Sequence, residues 1–240
     1  MSDSPKRVVV AVLAFNEREK LKRLLQRFPE SPDYDLVFVD DGSTDGTGDF
    51  LDAQGYGVIN HGENLGVGAG IRSVVDWAKP QGYEFVVIMA ANGKMLPEEI
   101  PRLTQPLLAG EADYIQGSRN LEGGESPNLP LFRRVMIKLF TLFVNLAIGV
   151  RGTDITCGFR AYRLDIMDHP QVDITQEWLG RYEMEYYIHY KVVKLGYRLK
   201  EVPVSMVYPE EGKNYSKIKP FTGWWSMIRP WVFLILRIKR

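Results

Sequence analysis

The first half of the 240-residue chain alternates short apolar runs with segments whose apolar residues recur at helical spacing. Short, continuous apolar runs are typical of strands buried in a parallel sheet. Such runs predict strands at 7–13, 36–39, 57–60, 85–90 and 113–117. Helical spacing predicts helices at 16–28, 44–54, 67–79 and 97–109. Repeated units of this kind predict an α/β, Rossmann-like fold, with a mostly parallel central sheet and helices on both faces.

The second half is less regular. The pattern predicts helices at 130–148 and 178–195 and strands at 158–162 and 197–204. Residues 213–240 include seven basic residues, no acidic residue and several tryptophans. We therefore predict a domain over residues 1–212 and a basic, aromatic C-terminal extension over residues 213–240. Segments of this composition are typical of membrane interfaces; packing on the domain or on a second subunit is the alternative.

Composition narrows the function classes. Zero formal net charge and a pI near 6.9 do not favour a nucleic-acid partner. A single cysteine suits a reducing compartment, and no segment reaches the roughly 18 apolar residues of a membrane span. We expect a cytoplasmic protein that can also lie peripherally at the cytoplasmic face of a membrane. The pattern makes no prediction of oligomeric state.

Candidate chemistry begins where the second predicted strand ends, at Asp40 and Asp41. Ligands of open parallel sheets bind at the carboxyl ends of the strands. A carboxylate there can accept hydrogen bonds from a base N–H or a ribose hydroxyl, and Gly42 permits a tight turn. Helix capping is the alternative and would explain residues 43–45. It would not explain two adjacent carboxylates at the end of a buried strand.

The acidic turn belongs to a series of motifs. Leu-Ala-Phe-Asn-Glu at 13–17, Val-Asp-Asp-Gly-Ser-Thr-Asp-Gly-Thr at 39–47 and Asn-Leu-Gly-Val-Gly-Ala-Gly at 64–70 resemble the inverting GT-A glycosyltransferases of family two. The second half resembles the dolichyl-phosphate mannosyltransferase and polyprenyl-phosphate glycosyltransferase branch of that family. That likeness is carried by residues 116–119, 154–163, 196–197 and 201–204. The resemblance covers nearly the whole chain and implies a GT-A fold.

The resemblance also implies a donor site for a UDP- or GDP-linked sugar. It implies that Ala14, Asn16 and Glu17 line the nucleotide pocket, that Asp40 contacts the base and that Asp41 lies close to the ribose. A second donor element follows further along the chain. The loop containing Gly66 and Gly68 resembles a glycine-rich phosphate loop; tight packing at the start of a helix is the alternative.

The chain departs from the family after the fourth predicted strand. The family carries an Asp-x-Asp motif there that holds Mg²⁺ or Mn²⁺ against the donor diphosphate, but this chain has Ala90, Asn92 and Lys94. Alanine cannot ligate a metal, and one amide carbonyl is a weak ligand. An ammonium can neutralise diphosphate charge directly. We therefore expect Asn92 and Lys94 to bind the donor, Lys94 to stabilise the leaving diphosphate, and no metal cofactor to be required. A metal held unconventionally, or an inactive site, is the alternative.

On the acceptor side the resemblance implies a phosphate site. Its candidate residues are Arg119, Arg133, Arg134, Arg160 and Lys217. Lys94, Arg119 and Asp154 are the candidate catalytic residues. Asp154 either orients the acceptor or forms a structural pair with Arg160, and it is the carboxylate to test if a base is needed. The implied activity is inverting transfer to a lipid phosphate, with polyprenyl phosphate as the expected acceptor. Ile137 stands where the branch usually has serine, so a soluble saccharide acceptor and an inactive nucleotide-sugar-binding scaffold are the alternatives.

Overall fold

A computed structural model describes residues 7–210 and 222–239, which form a twisted sheet covered by helices on both faces. The strands are β1 Val8–Ala14, β2 Asp35–Asp41, β3 Gly57–His61, β4 Phe85–Ala90, β5 Tyr114–Ser118, β6 Arg160–Arg163 and β7 Leu199–Pro203. The helices are α1 Arg18–Leu25, α2 Thr47–Ala53, α3 Val67–Ala78, α4 Ile100–Leu108, α5 Leu131–Ile148, α6 Glu183–Lys194 and α7 Thr222–Ile235.

The sheet has the order β3-β2-β1-β4-β6-β5-β7. Strand β6 pairs antiparallel with both of its neighbours, and the other pairs are parallel. The predicted α/β fold with a mostly parallel sheet is therefore confirmed. Because the strand order reverses direction around β1 and β4, their carboxyl ends form the crevice in which such sheets bind ligands.

Strand β1 shows why the apolar runs predicted the sheet so well. Val8, Val10 and Val12 join the core beneath α1, α2 and α4, whereas Val9 and Ala11 join the core beneath α3 and α6. Burying a valine, leucine or isoleucine side chain contributes roughly 1.5–3 kcal/mol. A strand covered on both faces gains this at every position, so its sequence shows no polar alternation.

Several predicted helices are shorter than their patterns indicated. The helix predicted from Asn16 begins at Arg18, because Asn16 has a left-handed backbone with φ of 54°. The helix predicted over 97–109 begins as a 3-10 turn, Pro97–Glu99, and α4 follows. The helix predicted from residue 178 also starts as a 3-10 turn, Glu177–Leu179, and α6 begins at Glu183.

Part of the predicted C-terminal extension is the helix α7, which packs on α5 and α6. The side chain of Trp231 is fully buried and lies against Tyr186 and His189. Arg229 forms an ion pair with the buried Glu183 of α6. For this stretch the contacts support the alternative of packing on the domain. Within residues 7–210 and 222–239, no helix combines the length and apolarity needed to cross a membrane.

Candidate active site

The sequence-predicted donor residues meet at one edge of the sheet. Ala14 at the end of β1 pairs in register with Asp40 of β2, and Leu13 pairs with Ala90 of β4. Ala14 and Asp40 are both buried. The loops after β1, β2 and β4 therefore leave the sheet side by side, which brings the acidic turn, the β1 loop and the altered metal motif into one crevice.

Reciprocal hydrogen bonds clamp the β1 loop to the acidic turn. The backbone N–H of Asn16 donates to Ser43 Oγ at 2.8 Å, and Asn16 Oδ1 accepts the N–H of Thr44 at 2.8 Å. The N–H of Glu17 donates to Thr47 Oγ1 at 3.2 Å. The left-handed backbone of Asn16 turns both its amide and its side chain towards the acidic turn. This clamp fixes the wall that is expected to hold the nucleotide.

These bonds correct the capping explanation for residues 43–45. The N-cap of α2 is Gly46, which has no side-chain cap. Asp45 instead accepts the N–H groups of Arg18 and Thr47, at 3.2 and 3.1 Å. The polar residues of the turn thus tie two loops together, and Asp45 in addition binds the N–H of the first residue of α2.

The two adjacent carboxylates have different surroundings. Asp40 Oδ1 accepts the N–H of Ser43 at 3.1 Å, and a Cβ at Gly48 would lie 2.5 Å from Asp40 Oδ2. Asp41 Oδ1 lies 2.8 Å from His61 Nδ1 and accepts the N–H of Leu65 at 2.9 Å. Asp41 therefore has a structural task in holding the loop before α3. Its predicted ribose contact would come in addition to that task.

The glycine-rich loop is packed tightly against the segment before α6. A Cβ at Gly66 would lie 2.6 Å from the carbonyl oxygen of Gly180, and one at Gly68 would lie 1.8 Å from that of Leu179. Asp41 accepts the N–H groups of Leu65 and Gly66, and the N–H of Ala69 donates to the Gly180 carbonyl. Three N–H groups of the loop are thereby engaged within the protein. These contacts support the packing alternative over a phosphate loop for Gly66 and Gly68.

The altered metal motif does not fit a divalent cation. Asn92 Oδ1, the one side-chain oxygen of Ala90-Ala91-Asn92, accepts the backbone N–H of Lys94 at 3.1 Å. At sites that bind nucleotide phosphates, Mg²⁺ is usually held by one or two carboxylates together with substrate phosphates and waters, and this motif offers no carboxylate. Over the described parts of the chain, His, Cys, Asp and Glu residues form no group of three or more that could hold a metal ion. The loop instead presents a lysine.

Lys94 lies in a cluster of cationic side chains gathered around Tyr208, which we call the Tyr208 cluster: Lys94, Arg119, Arg133 and Tyr208. Lys94 Nζ lies 5.1 Å from the centre of the Tyr208 ring, and Arg133 Cζ lies 5.7 Å from it. Arg119 Nη1 donates to the Tyr208 hydroxyl at 2.7 Å. Cations within about 6 Å of an aromatic ring are stabilised by its electron density. Tyr208 therefore contacts three positively charged side chains, two through its ring and one through its hydroxyl.

The pKa of Lys94 is lowered first by burial and second by the positive charges around it. Burial lowers the pKa of Lys94 to about 8, and the positive charges of Arg133, Lys20 and Arg119 contribute to the decrease. Glu17 opposes it. A negative charge close to a buried cation favours its charged form. A negatively charged ligand that enters this site would therefore stabilise protonated Lys94. Diphosphate and phosphate groups are ligands of that kind.

Backbone bonds bring Tyr208 to the cluster. The N–H of Val207 donates to the Lys94 carbonyl at 2.9 Å, and the N–H of Tyr208 donates to the Pro127 carbonyl at 3.2 Å. Asn128 Nδ2 donates to the Tyr208 carbonyl at 3.0 Å. The segment after β7 thus runs between the Lys94 loop and the 125–128 loop. Sequence reasoning missed Tyr208 and Lys20, since neither belongs to a motif and only tertiary pairing brings them close.

Asp154 and Arg119 form a buried, bidentate ion pair. Arg119 Nε donates to Asp154 Oδ2 at 2.6 Å, and Arg119 Nη2 donates to Asp154 Oδ1 at 2.8 Å. The pair with Asp154 raises the pKa of Arg119 against the cost of burial. The predicted structural pair with Arg160 is therefore wrong, because the partner of Asp154 is Arg119. With no solvent exposure and both oxygens bound to a guanidinium, Asp154 is poorly suited to act as a base.

Arg160 is also buried and serves the protein interior. Its guanidinium donates to the carbonyls of Cys157, Ile155 and Glu185 and to the Tyr114 hydroxyl. Four of its five N–H donors are therefore taken. This placement argues against the predicted acceptor contact of Arg160.

The remaining acceptor candidates fall into three situations. Arg133 is half-buried in the Tyr208 cluster, whereas Arg134, the next residue of α5, is exposed. Lys217 lies outside the described residues. Of the two arginines of α5, the geometry therefore favours Arg133 as the phosphate contact.

Comparison with known proteins identifies a family and several relatives. The family model "Glycosyl transferase family 2" matches residues 9–169, which is more than half of the chain. An undecaprenyl-phosphate mannosyltransferase of Micrococcus luteus is 32% identical over 214 residues, covering 87% of this chain and 86% of the relative. The polyprenol monophosphomannose synthase of Mycolicibacterium smegmatis is 32% identical over 213 residues, covering 86% of this chain and 79% of that protein.

Among solved structures, a similar fold occurs in glucosyl-3-phosphoglycerate synthase from Mycobacterium tuberculosis, determined in complex with Mg²⁺ and uridine diphosphate. The alignment has a TM-score of 0.66 at 17% identity and covers 97% of this chain and 79% of that chain.

The family model and the two relatives confirm the resemblance drawn from the motifs, both to the family and to its polyprenyl-phosphate branch.

Proposed function

The chain belongs to glycosyl transferase family 2 and is a glycosyltransferase, and we propose that it transfers a sugar from a nucleoside diphosphate sugar to polyprenyl phosphate. The observation that carries this proposal is the Tyr208 cluster, which gathers cations beside the nucleotide edge of the sheet. A donor diphosphate and an acceptor phosphate would both enter that crevice. The assignment of polyprenyl phosphate as the acceptor is supported by the two relatives, an undecaprenyl-phosphate mannosyltransferase and a polyprenol monophosphomannose synthase.

The proposed reaction is a single in-line displacement with inversion. An oxygen of the acceptor phosphate attacks the anomeric carbon and forms the new C–O bond. The bond from that carbon to the diphosphate breaks, and its electron pair leaves on the diphosphate oxygen. Because the phosphate oxygen is already anionic at neutral pH, no protein base is required. Catalysis then depends on positioning both substrates and on stabilising the charge of the leaving group.

We assign the parts of this reaction to residues as follows. Asp40, supported by the clamp of Asn16, recognises the nucleotide. Lys94 stabilises the diphosphate as it leaves, in place of the metal ion that the family motif would hold. Arg133 binds the acceptor phosphate across the ring of Tyr208. Arg119 and Asp154 hold that ring and the surrounding loops, as a positioning pair rather than as acid and base.

A transfer assay tests the proposed function. The protein is incubated with UDP- and GDP-linked sugars labelled in the sugar, each with polyprenyl phosphate, the corresponding unphosphorylated polyprenol or a soluble saccharide. We expect label to enter the organic phase only with the phosphorylated lipid and one nucleotide. Label in a water-soluble glycoside would favour the saccharide acceptor. Absence of both transfer and donor hydrolysis, despite nucleotide binding by thermal shift, would favour an inactive scaffold.

The pH profile gives a specific prediction for Lys94. Its pKa is lowered to about 8, so the charged form dominates below that pH and disappears as the pH rises through it. We expect kcat/KM, which reports groups of the free enzyme, to fall about tenfold per pH unit above pH 8. In a Lys94→Arg variant the guanidinium stays charged, and the fall should vanish. Measurement from about pH 6.5 to 9.5 checks this; an identical decline in both proteins would contradict the assignment.

A further inference from the structure

Helix α5 exposes seven large apolar side chains. They are 46% to 77% exposed. The seven residues are Leu131, Phe132, Val135, Leu139, Leu142, Phe143 and Leu146. The largest apolar patch of a typical monomer covers about 300–600 Å² and is often functional. Seven large and exposed apolar side chains on one helix therefore indicate a functional surface.

The seven side chains lie on one face. At about 100° per residue they fall within an arc of roughly 120° around the helix axis. The opposite face carries the residues that α5 buries in the domain, among them Ile137, Phe140 and Val144. A soluble helix normally presents polar residues opposite its buried face, and a helix that is apolar all round is normally covered. The outward face of α5 therefore requires a cover.

Charge identifies the kind of cover. Helix α5 contains Arg133, Arg134 and Lys138 and no acidic residue, and the exposed Arg134 and Lys138 border the apolar arc. The four residues that follow α7, a helix packed on α5, are all exposed: Leu236, Arg237, Ile238 and Lys239. An apolar face bordered by cations is the pattern of a helix lying at an anionic lipid surface.

We propose that the outward face of α5, extended by residues 236–239 after α7, docks on an anionic lipid bilayer. A second copy of the chain is a poorer occupant, because symmetric contact would bring the basic borders of two faces together without acidic partners. Continuity with the site supports the bilayer: Phe132 of the apolar face is adjacent to Arg133 of the Tyr208 cluster. Resting on the proposed lipid-phosphate acceptor, this surface would deliver the acceptor headgroup to Arg133 while its hydrocarbon chain stays in the membrane.

Vesicle flotation with the full chain tests the surface. We expect the wild-type protein to float with phosphatidylcholine vesicles that contain phosphatidylglycerol. The variant Leu139→Gln/Leu142→Gln/Leu146→Gln should lower its partition coefficient by at least about tenfold. The variant Arg134→Gln/Lys138→Gln should lose binding only to the anionic vesicles. Leu108→Gln, at an exposed apolar side chain of α4, is the control that should bind as the wild type does.

A second measurement does not depend on multiple substitutions. Cys157 is the one cysteine of the chain and is fully buried, so Leu142→Cys can be labelled selectively with an environment-sensitive fluorophore. Vesicles should shift its emission to the blue, whereas the same label at Asp52→Cys on α2 should not respond. An equal emission shift on addition of vesicles at both positions would overturn the proposal. So would wild-type flotation of the triple variant, or a wild-type dimer that the triple variant dissociates.

Transfer to a short-chain, water-soluble isoprenyl phosphate without vesicles separates this inference from the proposed function. The triple variant should keep the wild-type rate in that assay and lose transfer only to long-chain acceptor in vesicles. If the wild type binds vesicles through α5 but transfers sugar to no isoprenyl phosphate, the proposed function fails and the docking surface stands. If it transfers sugar but both variants bind and react with vesicles as the wild type does, the docking surface fails alone.

Discussion

Replacing Lys94 with alanine is expected to lower kcat about 10²–10³-fold, the effect typical of removing one group that stabilises developing charge. Lys94 is the cation at the position of the family's metal motif, and its neighbours Arg133 and Lys20 already disfavour its charge. The diphosphate gains its full interaction with the ammonium only as negative charge accumulates on the leaving oxygen. Steady-state kinetics with saturating donor and acceptor measure the effect.

Two further variants make this result specific. Lys94→Arg keeps the positive charge and should retain far more activity than Lys94→Ala. Lys22→Ala removes an exposed lysine of α1 that pairs with Glu19 and should leave kcat unchanged. A wild-type kcat in Lys94→Ala would remove the lysine from the mechanism. An increase in KM alone would assign Lys94 to ground-state binding of the donor rather than to stabilisation of the leaving group.

Replacing Asp154 with alanine should destabilise the protein by about 3–5 kcal/mol, because it leaves the buried guanidinium of Arg119 without its counter-charge. In a chain of this size that corresponds to a fall in Tm of roughly 6–20 °C. Thermal and urea unfolding measure it. The double variant Arg119→Met/Asp154→Leu should be more stable than Asp154→Ala, since it removes both charges together.

The control for this prediction is an exposed ion pair. Arg7 and Glu84 are each about half exposed, so Glu84→Ala should change the free energy of unfolding by at most about 1 kcal/mol. An Asp154→Ala variant with wild-type stability but no transfer would contradict the positioning role. It would return Asp154 to the role of catalytic base.

The sequence predicted the sheet and the donor edge because both depend on local information. Buried strands such as β1 are apolar at every position, and the carboxyl ends of parallel strands must meet at one edge. The acceptor side depends on long-range pairing that no local pattern encodes. Tyr208 reaches Lys94 because the backbone N–H of Val207 donates to the Lys94 carbonyl, across 113 residues of sequence. The partner of Asp154 is likewise decided by which loops the antiparallel strand β6 brings together.

The residues assigned differently by the structure share a physical cause. Both Arg160 and Asp154 are charged, and charged side chains are usually exposed. The resemblance implied an acceptor contact for Arg160, and orienting the acceptor was one of the alternatives for Asp154. Each is instead buried, with both oxygens of Asp154 and four of the five N–H donors of Arg160 bonded within the protein. Asn16 was predicted inside a helix from the apolar spacing that follows it, but its left-handed backbone serves the clamp on Thr44. Polar residues that organise a site and those that contact its ligand look alike in a sequence.

The central claim is that Lys94 takes the place of the metal ion in the donor site. The most direct measurement is the rate of sugar transfer by the wild-type protein in excess EDTA, compared with the rate in Mn²⁺ at matched ionic strength. The predicted result is transfer in EDTA at a rate comparable to that in Mn²⁺, lowered about 10²–10³-fold by Lys94→Ala in both buffers. Complete loss of transfer in EDTA, restored by Mn²⁺, would contradict the claim.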